Sequence, residues 1–163
     1  MPVDMPKESY IWNLNNPNFP EKTLLPPSPL CTMAFNTKNS DIIAGGSYNG
    51  SVSFFDTRQG DISNVVRPFK TTLLEKSHHD PVYDLYWTSS KTGSECSTVS
   101  TDGRLMWWDK NSPDDEPFVP IECKELEEKM VNSNGEEVTK VLGGTSMEFN
   151  ADAGPTKYLV GTE

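Results

Sequence analysis

His79, Ser100 and Asp102 are residues of the types that perform acyl transfer, and Trp108 completes the group. In such chemistry a carboxylate orients a histidine, which takes the proton of a serine hydroxyl. The spacing argues against it. Ser100 and Asp102 are two positions apart and Trp108 follows Asp102 by six, whereas an activated serine would sit on a strained turn such as G-x-S-x-G, which the chain lacks. His78-His79-Asp80 invites a metal reading, yet neighbours on an extended segment point to opposite sides and no third histidine exists. Gly45-Gly46-Ser47-Tyr48-Asn49-Gly50 and Gly143-Gly144-Thr145-Ser146 lack the Gly-Lys-Ser/Thr of a phosphate loop. No catalytic residue, metal set or cofactor is expected.

The elements that carry these residues repeat. Ser9-Tyr-Ile-Trp12-Asn13, Ser51-Val-Ser-Phe-Phe55-Asp56 and Arg104-Leu-Met-Trp107-Trp108-Asp109 each end a short strand on an aromatic followed by Asp or Asn. Asn49-Gly50 precedes Phe55 as Asp102-Gly103 precedes Trp108, with Asx six residues before the aromatic in both. Asx-Gly between alternating apolar runs predicts a hairpin with a type I′ turn. Strands are expected upstream at Leu30-Cys-Thr-Met-Ala-Phe35 and Val82-Tyr-Asp-Leu-Tyr-Trp87, and later at Thr145-Ser-Met-Glu-Phe149 and Lys157-Tyr-Leu-Val-Gly161. The aromatic ends lie 43 and 53 residues apart, the longer interval holding a candidate outer strand at Val65-Val66 within 57–81.

Residues 114–137 stand apart, with nine acids against two lysines. Ile121, Leu126 and Met130 among charged neighbours predict a short exposed helix there, in a solvated insertion or an acidic surface for a basic partner. The whole chain of 163 residues carries 14 basic and 24 acidic side chains, a net −10. That disfavours nucleic acid, which demands a basic face, and equally an anionic membrane surface. No run approaches the ~20 apolar residues of a membrane helix. Residues 1–8 lack the apolar core of a signal peptide, so Asn49-Gly50-Ser51 reads as a turn and not a glycan site, and Cys31, Cys96 and Cys123 as reduced thiols of a cytoplasmic chain.

A repeat of about 40–45 residues, built as strand, strand, Asx-Gly turn and strand, resembles the WD repeat of β-propellers. The resemblance implies an all-β, incomplete WD-repeat β-propeller arc: a blade end at 9–14, a blade at 29–66, a blade core at 82–109, the acidic insertion at 114–137 and the start of a blade at 145–163, or two full units and two partial ones. It also implies that His79, Ser100, Asp102 and Trp108 are a buried structural tetrad, with His79 preferred over His78. The first unit departs from it, having Phe55 for Trp, Asn49 for Asp and Pro29-Leu30-Cys31 where a His is usual. Its blade is expected to be held by packing alone. Such an arc reads as a piece of a larger domain, with uncapped edges that make it poorly soluble by itself.

Longer strings are similar to the dynein intermediate chain family, and within it to the ciliary outer-arm chains of the second type: Ser9-Tyr-Ile-Trp-Asn-Leu-Asn-Asn-Pro17, Ser77-His-His-Asp-Pro-Val-Tyr-Asp84, Ser90-Lys-Thr-Gly-Ser-Glu95, Ser100-Thr-Asp-Gly-Arg-Leu-Met-Trp-Trp-Asp109, and Met147-Glu-Phe149 with Lys157-Tyr-Leu-Val-Gly-Thr-Glu163. The likeness implies a non-catalytic scaffold in a microtubule-associated motor complex of the cilium or flagellum axoneme. Its partners there are a dynein heavy chain, a second intermediate chain and light chains. The competing expectation is a WD-repeat scaffold of another complex, including a cytoplasmic dynein intermediate chain. Exposed loop residues Tyr48, Arg58 and Arg104, with the acidic insertion, are the candidate partner contacts.

Overall fold

Adjacent aromatics on an extended strand face opposite sides. Phe54 and Phe55 are both fully buried, as are Trp107 and Trp108 nearly so, which requires that each strand be sandwiched between two other layers. The computed structural model, which describes residues 5–163, has that arrangement; residues 1–4, at the start of the segment read for a signal peptide, lie outside it. Its strands are β1 (Ser9–Ile11), β2 (Lys22–Leu24), β3 (Leu30–Phe35), β4 (Ile42–Ser47), β5 (Val52–Asp56), β6 (Val65–Val66), β7 (Lys70–Thr71), β8 (Val82–Trp87), β9 (Glu95–Ser100), β10 (Arg104–Asp109), β11 (Glu122–Glu125), β12 (Glu127–Val131), β13 (Glu137–Val141), β14 (Gly144–Phe149) and β15 (Tyr158–Thr162).

The strands form an all-β, incomplete propeller arc. Two sheets have four antiparallel strands, β3-β4-β5-β7 and β8-β9-β10-β11; β1-β2-β6 flanks them on one side and β14-β15 on the other. The register recurs from sheet to sheet. Leu30/Thr32, Val82/Asp84 and Gly144/Ser146 carry the same irregularity at the start of the first strand. Tyr10↔Thr23, Ser53↔Thr71 and Met106↔Cys123 are equivalent pairs of the third and fourth strands.

Three apolar layers lie between successive sheets. Leu24, Ile43, Phe55 and Val66 fill the first; Ala44, Val52 and Phe54 meet Leu85, Trp87 and Trp108 in the second; Val99, Leu105 and Trp107 meet Met147 and Phe149 in the third. Burial of such side chains contributes about 1.5–3 kcal/mol each.

Four expectations are corrected. The Asx-Gly turns are not type I′, which needs positive φ at both central residues. Gly50 and Gly103 have φ of +88° and +79°, but Asn49 and Asp102 do not share that region. Gly50 N–H donates to Ser47 O and Gly103 N–H to Ser100 O, so each loop is one residue longer, a turn closed by a left-handed glycine. The Asx side chain favours this form by accepting the N–H two residues on, Ser51 at 3.1 Å and Arg104 at 2.9 Å.

Val65–Val66 is not the outer strand of its own unit. It runs parallel to β2 in the neighbouring sheet, where Val66 plugs the first apolar layer, and Lys70–Thr71 takes the outer position beside β5.

The helix expected around Ile121–Met130 does not form. Glu122–Glu125 pairs with β10, satisfying an edge that would otherwise be bare, and its charges stay solvated on the outer strand. Tertiary pairing thus overrides helix propensity.

Residues 114–137 are likewise not one solvated insertion. Phe118 is buried against Phe54 and Trp108, the largely buried Lys70 ammonium pairs with Asp114 at 3.1 Å, and the exposed residues belong to two different elements, the outer strand β11 of the second sheet and the strands of the β12-β13 hairpin.

Candidate functional site

A polar chain runs through the second four-stranded sheet. The His78 side chain is wholly buried. Its Nδ1 lies 3.1 and 3.2 Å from the two Asp102 carboxylate oxygens, and its Nε2 lies 2.8 Å from Thr98 Oγ1. Trp108 Nε1–H donates to the same hydroxyl at 2.8 Å. The donors assign the protons: His78 Nδ1–H donates to Asp102, and Thr98 O–H donates to Nε2 while accepting from the indole. Asp102 also accepts the backbone N–H of His79 at 3.0 Å and of Arg104 at 2.9 Å. Burial alone would push its carboxyl up, but the hydrogen bonds from His78 and from the two backbone donors outweigh that and hold it below the usual carboxylate range.

Asp102 and Trp108 therefore stand where the sequence placed them, and two members change. His78 replaces His79, whose exposed ring meets only Arg104 Nη1, at 3.2 Å. Backbone alternation turns one histidine inward and its neighbour out. Thr98 replaces Ser100, whose hydroxyl is drawn to Asp80 O at 3.1 Å and accepts Asp102 N–H at 3.3 Å. The signal for Thr98 was the register: Thr98 faces Met106 in the β9-β10 pair, two places from Trp108 and so on the same face, close enough for the indole N–H. The Thr98 hydroxyl is fully buried and shared between Trp108 and His78, so no substrate carbonyl can reach it. This His-Asp pair orients a structural hydroxyl, not a nucleophile.

The equivalent positions of the first four-stranded sheet are Gly45, Asn49 and Phe55, and the Asn49 side chain bonds only its local Ser51. Ser47, the counterpart of Ser100, has a buried hydroxyl with no partner. Among the described residues no three His, Cys, Asp or Glu side chains are grouped to hold a metal.

The candidate contact residues divide between the two ends of the strands. Tyr48 is exposed in the β4-β5 turn and Arg104 lies beside the β9-β10 turn, so both belong to one face of the arc. Gly50 keeps the two turns' surroundings in contact, since a Cβ there would strike the carbonyl of His78. The β12-β13 hairpin rises from this same face: Leu126 N–H donates to Gly103 O at 2.7 Å and Leu142 N–H to Leu126 O at 2.8 Å. Arg58 lies at the other end, past β5, with its guanidinium pinned on Asp56 at 2.7 and 2.9 Å. That hydrogen bond holds the Asp56 carboxyl below its usual range.

The three thiols are free. Cys96 is buried and desolvation pushes its thiol far up; desolvation also raises Cys31 and Cys123, though both are exposed. Iodoacetamide at pH 8 is therefore expected to label Cys31 and Cys123 slowly in the folded chain and Cys96 only in denaturant. Mass mapping of the alkylated peptides checks this, and rapid labelling of native Cys96 would contradict the second apolar layer.

Over 162 residues, 99 % of the chain, it is 41 % identical to the 70 kDa intermediate chain of flagellar outer-arm dynein from Chlamydomonas reinhardtii. Human dynein axonemal intermediate chain 2 is 44 % identical over the same share. The chain belongs to the dynein intermediate chain family. It spans about a quarter of the length of these relatives, 26 % and 24 % respectively. A mouse cytoplasmic dynein 2 intermediate chain is more distant, 30 % identical over 110 residues and 62 % of this chain. No family model matches the chain. The His78–Thr98–Trp108 network lies inside the second four-stranded sheet, and the turns carrying Tyr48 and Gly103 are what that end of the sheets presents to solvent.

Proposed function

We propose that this chain is part of a non-catalytic scaffold of an axonemal outer-arm dynein, located in the cytoskeleton of the cilium or flagellum. It would bind the heavy chain and assemble with a second intermediate chain and light chains. The observation that carries this reading is the match along 99 % of the chain to relatives named for the flagellar outer arm and the axoneme. The chemistry agrees with it. The buried histidine and its carboxylate partner are spent on blade geometry, and what faces solvent is a set of turns on a rigid sheet, suited to holding another protein.

The contact surface we favour is the face bearing Tyr48, Arg104 and the β12-β13 hairpin. Arg104 reaches over Glu125 at 4.0 Å and sets a positive charge beside the acidic outer strand. Arg58 is assigned a lesser part, because its guanidinium is already occupied by Asp56. Immobilised chain should retain dynein heavy chain from an axonemal salt extract, and Arg104→Glu should lower the retained heavy chain at least about fivefold, a typical cost of reversing an interface charge. Unchanged retention would remove Arg104 from the surface. Preferential capture of cytoplasmic over axonemal heavy chain, read by mass spectrometry of the two extracts, would favour the scaffold of another dynein instead.

A further inference from the structure

The chain contains two Asn-Gly pairs, Asn49-Gly50 and Asn134-Gly135, folded into the same kind of turn. Each glycine is left-handed, with φ of +88° and +81°. Each donates its N–H to the carbonyl three residues earlier, Ser47 O at 3.1 Å and Asn132 O at 3.0 Å. Both asparagines are exposed. What differs is the restraint around them.

Asn49 Oδ1 accepts the Ser51 N–H at 3.1 Å and the Ser51 hydroxyl at 2.7 Å. A Cβ on Gly50 would strike the His78 carbonyl, so that turn is seated on the next sheet, and the strands it joins, β4 and β5, are buried at every position. At the tip of the β12-β13 hairpin it is Asn132 that holds the turn. Its Oδ1 accepts the N–H groups of Asn134 and Glu136 at 3.0 and 2.9 Å, and its Nδ2 donates to Glu136 Oε2 at 3.0 Å. The Asn134 side-chain amide takes no part in these bonds. A Cβ on Gly135 would find nothing within 4 Å, and β12 and β13 are exposed at every position.

We propose that Asn134 is a site of spontaneous deamidation, and that the fold protects Asn49 in the same dipeptide. The Gly135 backbone nitrogen gives up its proton to water and attacks Cγ, the carbonyl carbon of the Asn134 side chain. Glycine permits the approach because no Cβ crowds that nitrogen and its backbone rotates freely. The Cγ–Nδ2 bond breaks, Nδ2 leaves as ammonia with a proton returned from water, and a cyclic imide remains. One water then opens the ring. Cleavage of the nitrogen's bond to Cγ gives aspartate; cleavage of its bond to the main-chain carbonyl carbon gives isoaspartate, whose chain runs through Cβ and Cγ. Amide and water thus become carboxylate and ammonium, and nothing is oxidised or reduced.

Both glycine N–H groups are tied in the closed turn, so the reaction proceeds from the opened one. A two-stranded hairpin is marginal in water and opens locally, whereas a turn between buried strands opens only with the layers around it. The product adds a carboxylate to a tip that already carries Glu136 and Glu137. The isoaspartyl form also puts an extra carbon into the chain within the turn that Gly135 closes on Asn132.

The folded chain is aged at neutral pH for weeks and its peptides are read by tandem mass spectrometry. Acid at position 134 should form at least about tenfold faster than at position 49, and in urea the two rates should agree within about twofold. Methyl uptake from S-adenosylmethionine, catalysed by an isoaspartyl carboxyl methyltransferase, should rise with the same time course. It should be absent from Asn134→Gln aged in parallel, whose longer side chain would have to close a larger ring. Equal rates at the two positions in the folded chain, faster conversion at position 49, or an Asn134 amide that survives folded ageing but converts in urea would each overturn the proposal.

Discussion

Replacing His78 by alanine should lower the unfolding free energy by about 3 kcal/mol, whereas His79→Ala should cost under about 0.5 kcal/mol. The two residues are neighbours of the same type, so composition, helix or strand propensity and net charge cannot separate them. What separates them is burial. The His78 ring is enclosed and bonds Asp102 on one side and Thr98 on the other. Its loss strips the carboxylate of its side-chain donor and leaves the Thr98 hydroxyl with the indole and a long, 3.5 Å bond to Met106 O. A buried polar group deprived of its partner costs more than the partnership contributed, because its desolvation is no longer offset. His79 keeps its backbone N–H on Asp102 whatever its side chain, so truncation removes only the contact with Arg104. Urea melts of the two variants decide the matter, and equal midpoints would place the tetrad elsewhere.

The pH dependence follows from Asp102. Its carboxyl is below the ordinary value of 3.8 in the folded chain, so the folded state prefers the carboxylate. A group depressed on folding contributes its full stability above its unfolded value and loses it as pH falls through its folded value. The chain should therefore weaken on acidification below about pH 4, and Asp102→Asn should flatten that slope while lowering stability at pH 7. Asp56, held down by Arg58, titrates in the same direction and leaves a residual slope in the variant.

Much of the architecture could be read from the residues because the repeat writes the same instruction several times. Phe54-Phe55 and Trp107-Trp108 alternate toward two layers, and Asn49-Gly50 and Asp102-Gly103 fix two hairpins in one register. Features set by a partner strand were harder to read. Glu122–Glu125 is a strand only because β10 offers it an edge, and its charged sequence resembles an exposed helix until that edge is known. Val65–Val66 lies between two sheets that could each accept it, and Val66 goes where Leu24, Ile43 and Phe55 leave an apolar gap. In the polar network, Asp102 and Trp108 are legible from their spacing, but His78 and Thr98 each have an equally suitable residue one or two places away. Register alone chooses between them.

Phe54→Ala should cost about 4 kcal/mol, in the range for emptying a large buried aromatic site. The ring is fully buried where the two complete sheets meet, 5.8 Å from Trp87 and 5.5 Å from Phe118, with Phe69 at 6.5 Å. These neighbours come from three segments of chain: β8, the β10-β11 connection and the β5-β7 connection. Collapse of one into the cavity would have to move the others, so most of the void should persist. Phe69 is 41 % exposed, and Phe69→Ala should cost about 1 kcal/mol because its site can be refilled by solvent and side-chain motion. The comparison bears on how the arc holds together. Each sheet is too thin to bury an apolar core alone, so its stability comes from the layers on either side. A variant at a shared layer should therefore move a single unfolding transition, seen alike by tryptophan fluorescence and circular dichroism, instead of melting one sheet and sparing the other. A cost under about 1 kcal/mol, or two separated transitions, would mean that each sheet is stable without its neighbour, which two faces with so few buried side chains apiece do not allow.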